Sequence, residues 1–388
     1  MAWSCATLRS RPSSVLPATQ SLHTAAVMYY SSINQLGEGR SIFFCFFPDM
    51  IVAEAWKASY LYWVFPVLII ITLFACLGLF GLIFAIRLFA KYTCGHFRKT
   101  TRMDGKTVIV TGCTGGIGKE TARELANRGA RVIMACRNLD AAEKVKAEII
   151  ESTKNTKLVV KKLDLSSFAS IREFAEDINK TEPKLDVLVH NAGYADTFKK
   201  RTTVDDIEMT METNHYGPFL LTHLLIDLLK KSAPSRIVVV ASSLYRLASF
   251  NVDNPNPVDT LPGYLYYASK EANILFSKEL ARRLEGTGVT VNCLHPGLIE
   301  TGIWDSVPPP LSWVLTLIAK CFFKTPQQGC QTSVMLAVDE KLENISGKYF
   351  SDCRESTLSS SASNMSRAKK VWEISEKMVK LGEDDPRI

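Results

Sequence analysis

The chain has 388 residues, 47% of them hydrophobic and 22% charged, with a formal net charge of +7 at pH 7. It is too long for one typical domain, short for three, and too apolar for a disordered protein. It carries no long block of like charge and no basic helix with interleaved aromatics, which excludes a nucleic-acid partner from the reading, while the modest excess of Lys and Arg suits anionic lipid or an anionic cofactor.

Residues 1–62 open with Arg9 and Arg11 among many Ser and Thr, and no acid precedes Glu38. A mitochondrial transit peptide has this composition, and so does a disordered extension; disorder is the reading adopted. From Val64 to Ile86 the chain runs 23 residues without a charge. That length crosses a hydrocarbon core of about 30 Å at about 1.5 Å per residue. Tyr60, Tyr62 and Trp63 stand before the run as an aromatic belt; Arg87, Lys91, Arg98, Lys99, Arg102 and Lys106 follow it. These flanks predict a transmembrane anchor over 63–90, with the C-terminal part on the cytosolic side. A buried soluble helix is the alternative, and a cleaved signal peptide would start nearer residue 1 with a shorter apolar run.

Beyond the anchor, short apolar runs alternate with amphipathic stretches. Strands are predicted at Lys106–Thr111, Arg131–Cys136, Leu158–Leu163, Leu185–His190, Arg236–Ala241 and Val289–His295. Helices are predicted at Gly118–Arg128, Leu139–Ser152, Ser167–Asn179, Asp205–Lys231 and Tyr264–Glu285. Alternation of this kind implies parallel βαβ units, hence an α/β fold with a doubly wound parallel sheet, over 105–355. A C-terminal tail, 356–388, opens Ser-rich and ends in a short helix at Ala368–Leu381. The ten cysteines form no C-x-x-C pair and no Cys/His cluster with metal-ligand spacing, so free thiols in a reducing compartment, and no metal, are expected.

Thr111-Gly112-Cys113-Thr114-Gly115-Gly116-Ile117-Gly118 follows the first strand and opens a helix. A Gly-rich turn there lets backbone N–H groups approach a pyrophosphate, and the helix behind it adds a favourable dipole. At the end of the second strand an acidic residue would bond the ribose 2′-OH of NAD; this chain has Cys136, then Arg137 and Asn138. A guanidinium can hold a 2′-phosphate bidentately, which favours NADP(H), although Asp140 lies close by in sequence. Farther on, Tyr266 and Lys270 form a Y-x-x-x-K pair, with an ammonium beside a phenol on one helix face. A cation there, helped by an oxidised nicotinamide, stabilises a phenolate and equips Tyr266 to give or take a proton.

The T-G-x-x-x-G-x-G spacing, followed in order by Y-x-x-x-K, resembles the short-chain dehydrogenase/reductase family over nearly all of 105–355. The resemblance implies a Rossmann fold and cofactor contacts from Gly112, Gly116, Ile117 and Gly118, with Asp164 and Leu165 at the adenine. It also implies contacts from Asn191 of an N-A-G turn and from Pro296, Gly297 and Thr301 near the nicotinamide. Catalytic roles fall to Asn214, Ser243, Tyr266 and Lys270; Ser242 is an adjacent competitor that the resemblance passes over. Ala135–Asn138, the stretch from Asn214 to Thr222, and Lys348–Cys353 are similar to the retinol dehydrogenase-like subgroup, whose members are membrane-bound and act on retinoids and other hydrophobic carbonyls. Tyr245 and Arg246 depart from that subgroup's histidines.

The implied partners are a hydrophobic small molecule and a lipid bilayer; a homo-oligomer is left open. The implied place is the endoplasmic reticulum membrane with the catalytic domain in the cytosol, a mitochondrial membrane being the alternative. Val307–Phe323 is read as a substrate-covering segment, either an amphipathic lid resting on the membrane or ordinary core packing. The rival to an oxidoreductase is a non-catalytic nucleotide-binding scaffold of the same fold, disfavoured because Asn214, Ser243, Tyr266 and Lys270 are all present.

Overall fold

The computed structural model describes residues 47–196, 199–299, 312, 313, 316 and 323–388. Thr301 and most of Val307–Phe323 lie outside the described residues, as does the extension before residue 47.

Helix α1 runs from Phe47 to Thr93, and so starts within the stretch assigned above to disorder. Its portion Tyr62–Leu88 is long and apolar enough to cross a membrane, and none of the most apolar window is buried. Apolar side chains stand out on every side of it, among them Phe65, Leu68, Phe74, Leu79 and Phe84. A soluble helix would confine such residues to one stripe. Pro66 is accommodated inside the helix.

Strands β1 (Thr107–Thr111), β2 (Arg131–Cys136), β3 (Leu158–Lys162), β4 (Val187–His190), β5 (Ser235–Val240), β6 (Val289–His295), β7 (Tyr349–Ser351) and β8 (Arg354–Glu355) form one sheet. Its order is β3-β2-β1-β4-β5-β6-β7-β8. All neighbours are parallel except β7 and β8. The helices are α2 (Gly116–Asn127), α3 (Leu139–Thr153), α4 (Phe168–Thr181), α5 (Gly217–Lys231), α6 (Pro262–Arg283), α7 (Pro326–Val338) and α8 (Met365–Met378).

Successive side chains of a strand point to opposite faces. Here every second residue of the buried strands enters one of two cores. Ile109, Ile133, Leu188, Ile237 and Val239 join the core formed with α4, α5, α6 and α8. Val108, Val110, Val132, Met134, Val189 and Val238 join the core formed with α2, α3 and α7. The near-continuous apolar strands of the sequence are explained by this double burial. The sheet reverses its winding between β1 and β4, so a crevice opens at the carboxyl ends of those two strands, where ligands bind in folds of this kind.

Two further regions differ from the sequence reading. The long helix expected over 205–231 is broken: Glu212–Tyr216 forms a π-turn before α5 begins at Gly217. A Cβ on Gly217 would lie 2.5 Å from the Leu165 carbonyl oxygen, so only glycine lets this bend sit against the β3 side of the crevice. Residues 356–388 are no loose tail. Helix α8 packs on α6, and Trp372, fully buried, meets Phe219 edge-on with centroids 4.9 Å apart and stacks on Phe276 at 5.9 Å. Arg283 lies over the same ring at 4.4 Å. Arg172 and Asp385 make two hydrogen bonds of 2.7 Å. The amphipathic pattern of α8 was visible in sequence, but the face it would cover was not. Trp372→Ala is expected to cost about 3–5 kcal/mol of stability, as removal of a large buried aromatic does. Urea unfolding followed by tryptophan-independent circular dichroism checks this; a change under about 1 kcal/mol would make the C-terminal helix peripheral to the fold.

Candidate active site

The carboxyl ends of β1 and β4 carry a cavity of about 970 Å³. Its floor is the Gly-rich turn. Gly112 has φ +72°, and a Cβ there would stand 2.8 Å from the Cα of Ala192. A Cβ on Gly118 would fall 2.2 Å from the Gly112 carbonyl oxygen and 2.4 Å from Asn191 Nδ2. Helix α2 therefore starts tight beneath the turn, and no side chain caps its N-terminus at Gly115. Uncapped first-turn amides and a positive dipole end are what a pyrophosphate needs. Asn191 holds this floor: its Nδ2 donates to the carbonyls of Thr111 (2.9 Å) and Gly112 (3.3 Å). The Asn191 and Ala192 N–H groups both donate to Thr111 Oγ1 at 3.0 Å.

At one end the cavity is lined by Cys136, Arg137, Asn138, Asp164 and Leu165. Asn138 caps α3 by accepting the Ala141 N–H at 3.0 Å. Asp164 is shaped by Ser166, whose N–H (3.0 Å) and hydroxyl (2.6 Å) both donate to its Oδ1. Arg137 is exposed, and its carbonyl accepts from Lys162 Nζ at 2.7 Å. The groups fit an adenosine end, and the floor between fits its pyrophosphate: the cradle has no room for a single added Cβ at Gly112 or Gly118.

At the other end lie Val240, Ala241, Ser242, Leu244, Tyr266, Tyr267, Lys270, Pro296 and Gly297. Tyr266 and Lys270 share a face of α6, and Lys270 Nζ sits 5.5 Å from the Tyr266 ring centre. The ammonium donates to the Val240 carbonyl at 3.1 Å. Burial takes the Lys270 ammonium down to about 8. Desolvation pushes the Tyr266 phenol up to about 12, partly offset by a hydrogen bond with Ser242. The lowering of the phenol by Lys270 is thus not the balance found in the protein alone. Desolvation outweighs a cation that faces the ring and a main-chain carbonyl, and the phenol stays protonated at neutral pH.

Asn214 lies in the π-turn, fully buried. Its Oδ1 accepts the Tyr194 N–H (2.6 Å), and its Nδ2 donates to the Tyr194 carbonyl (2.9 Å) and Ser269 Oγ (3.0 Å). Its own carbonyl accepts from Asn273 Nδ2 at 2.9 Å. The amide straps the N-A-G turn to α6. The two adjacent serines stand in different places. Ser242 lines the cavity and bonds Tyr266, whereas Ser243 begins the following 3-10 turn and is not among the lining residues. Tyr194, Ala195, Asp196 and Tyr267 also line the cavity and were not anticipated; only their nearness in sequence to the N-A-G and Y-x-x-x-K motifs could have hinted at them, whereas Phe323, also in the lining, ends the segment expected to cover the substrate. Three nearby histidines are poor bases. Burial takes His190 down to about 3 and His215 to about 4, and it lowers His295 as well. No cluster of three or more His, Cys, Asp or Glu fit to hold a metal occurs among the described residues.

A Gly-rich turn at the switch point shares one cavity with a buried Tyr–Lys pair, an arrangement that suits a dinucleotide-binding oxidoreductase. The short chain dehydrogenase family model matches residues 106–311. Human retinol dehydrogenase 14 is 45% identical over 295 residues, covering 72% of this chain and 88% of that protein. Human retinol dehydrogenase 11 is 45% identical over 284 residues, with the same coverage. Among solved structures, a short chain dehydrogenase from Shigella flexneri complexed with NADP aligns with a TM-score of 0.54 at 26% identity, over 66% of this chain and 100% of that one. The chain belongs to the short-chain dehydrogenase family of nicotinamide-dependent oxidoreductases, in its retinol dehydrogenase-like group.

The serine geometry is directly testable. Ser242→Ala is expected to lower turnover about tenfold or more, and Ser243→Ala less. Steady-state kinetics on the pair of variants decides; the opposite order would mean that the turn after β5 rearranges when substrate binds.

Proposed function

We propose that this protein is a membrane-anchored oxidoreductase that transfers hydride between NADP(H) and a hydrophobic alcohol or carbonyl of the retinoid, sterol or lipid-aldehyde class. The observation that carries the reading is the Tyr266–Lys270 pair at one end of a cavity whose other end presents Arg137. The bound nicotinamide supplies or accepts the hydride. Tyr266 holds the proton: at neutral pH its phenol is protonated and can donate to the oxygen of a carbonyl. A serine hydroxyl beside it, Ser242 by position or Ser243 by family resemblance, orients that oxygen. Lys270 presents its ammonium beside the phenol and toward the ribose, and Asn214 keeps Tyr194 and α6 in register. Gly112, Gly116, Ile117 and Gly118 receive the pyrophosphate, Asp164 and Leu165 the adenine, and Asn191, Pro296, Gly297 and Thr301 the nicotinamide side. Arg137, with Asn138 next to it, selects the 2′-phosphate. The named substrates of the retinol dehydrogenases, and the apolar Leu244, Leu298 and Ile299 in the cavity, support a hydrophobic substrate.

Tyr266→Phe keeps the ring and removes the proton. Its kcat is expected to fall about 10²–10⁴-fold with NADPH affinity nearly unchanged. Rates of retinaldehyde reduction with NADPH check this, and retention of most activity would remove Tyr266 from the chemistry. Because oxidation of the alcohol needs the phenolate, its rate is expected to rise with pH toward the alkaline range, while reduction falls there.

Arg137→Asp is expected to weaken NADPH about 10–100-fold and to reverse the preference over NADH, since the charge-assisted bonds to the phosphate become repulsion. Fluorescence titration with both cofactors measures it; equal affinities in the parent and the variant would refute the role of Arg137.

The apolar Tyr62–Leu88 helix and the basic residues after it support an anchor in the endoplasmic reticulum with the domain on the cytosolic side. The domain carries three sequons, at Asn179, Asn344 and Asn364. Asn364 caps α8, its Oδ1 accepting the Arg367 N–H at 3.1 Å. None of the three is expected to be glycosylated, and protease added outside sealed microsomes is expected to digest the domain. Protection, or glycosidase-sensitive mobility, would place it in the lumen.

A further inference from the structure

The Lys348–Cys353 stretch stood out in sequence, yet no step above uses it. It forms β7 and a turn in which Asp352 has φ +50° and Cys353 φ +57°, a conformation that side-chain-bearing residues adopt at a cost. The turn aims the Asp352 carboxylate at two distant pieces of chain. Oδ1 accepts the Gly95 N–H at 3.2 Å and pairs with Lys324 Nζ. Gly95 belongs to the linker that follows α1, and it is pressed so closely on the turn that a Cβ would lie 2.0 Å from the Asp352 carbonyl oxygen. The linker is held along its length: the Phe97 N–H donates to Gln331 Oε1 (3.2 Å), and Arg128 donates to the carbonyls of Lys99 (2.8 Å) and Thr101 (3.1 Å).

Lys324 in turn lies across the cavity wall. Gly297 has φ +96°, and a Cβ on it would meet Lys324 Cδ and Nζ at 2.9 Å. The Lys324 N–H donates to the Leu298 carbonyl at 2.8 Å, and Lys324 bridges to Ile299 in parallel. The Gly297 N–H donates to His295 Nδ1 at 3.1 Å, which fixes the turn from the other side. Pro296, Gly297, Leu298 and Ile299 all line the cavity.

We propose that Asp352 is a positioning residue of the active site: by holding Lys324 over the Pro296–Gly297 turn while taking the Gly95 amide, it makes the linker after the apolar helix a structural part of the cofactor-cavity wall. The linker is then more than a tether, because displacing Gly95 displaces the carboxylate that sets the turn. The inference rests on the reading of this cavity as the dinucleotide site.

The test uses the full chain in detergent or microsomes, with NADPH as the titrant and retinaldehyde as substrate. Lys324→Met keeps the methylenes over Gly297 and loses the charge; Asp352→Asn keeps an acceptor for Gly95 and loses the pair. Each is expected to raise the NADPH Kd and lower kcat/KM about tenfold, equivalent to ~1.4 kcal/mol. The double variant is expected to lose no more than either single, as partners in one contact do. Lys324→Arg is expected to recover most of the loss. Gly95→Ala, in the linker, is expected to reproduce the loss, while Gly81→Ala in α1, where a Cβ meets nothing within 4 Å, leaves it unchanged. Parent-like Kd and kcat/KM in Lys324→Met and Asp352→Asn overturn the proposal. So do losses that merely follow a drop in melting temperature and that Lys324→Arg does not recover. If the parent binds NADPH and Arg137→Asp weakens it while these variants are silent, only the linkage fails. If the parent binds no NADPH, the cavity reading fails with it.

Discussion

The close approach of α2 to the end of β1 is the constraint on which the rest of the site depends. Gly118 sits where a methyl group would overlap the Gly112 carbonyl and the Asn191 amide. Asn191 can reach both Thr111 and Gly112 only because that space is empty. The contact joins the two strands at which the sheet reverses direction, so it opens the crevice and shapes its floor in one step. Backbone amides, rather than side chains, then face the crevice, and a backbone donor site cannot be adjusted by rotamers. A rigid floor of this kind sets where a nicotinamide ring would reach, and therefore where a proton donor must stand.

Burial governs the chemistry at the far end. The same low-dielectric surroundings raise the Tyr266 phenol and lower the Lys270 ammonium. Both shifts favour neutral forms, so the protein alone holds a pair poised against charge separation. On the proposed mechanism, a cofactor that brings or removes positive charge beside them acts on this balance directly. The buried histidines show the other use of burial: desolvation holds His190, His215 and His223 neutral, although the hydrogen bond between His215 and Asn273 favours the charged ring.

The chain spends much of its irregular structure on joining distant segments at the cavity. The π-turn gives Asn214 a position from which one amide serves Tyr194 and Ser269 together. The left-handed Asp352 serves Gly95 and Lys324. In each case a local departure from regular geometry is balanced by contacts from segments far away in sequence.

Much was legible before any coordinates. Short apolar runs and amphipathic stretches located six strands and most helices. The Gly-rich turn, Arg137, Tyr266 and Lys270, which the fold brings to one cavity, stood out because they place particular residues at short, fixed spacing. The 23 uncharged residues before the domain marked α1 for the same reason, since length and polarity are local properties. What remained hidden involves contacts between residues far apart. Two adjacent serines look alike until the turn after β5 points Ser242 at the phenol. A three-residue strand such as β7 has no periodicity of its own, and it forms because β6 offers it a partner. The Ser-rich tail became core because Phe219 and Phe276 leave a surface that Trp372 covers. Sequence determined the fold class, the Gly-rich turn and the spacing of Tyr266 and Lys270, all written in short-range pattern. Only tertiary structure decided which serine meets the phenol, how Tyr266 and Lys270 are desolvated, and that Gly95 and Lys324 share one carboxylate, because burial and long-range contact exist only once the chain has closed on itself.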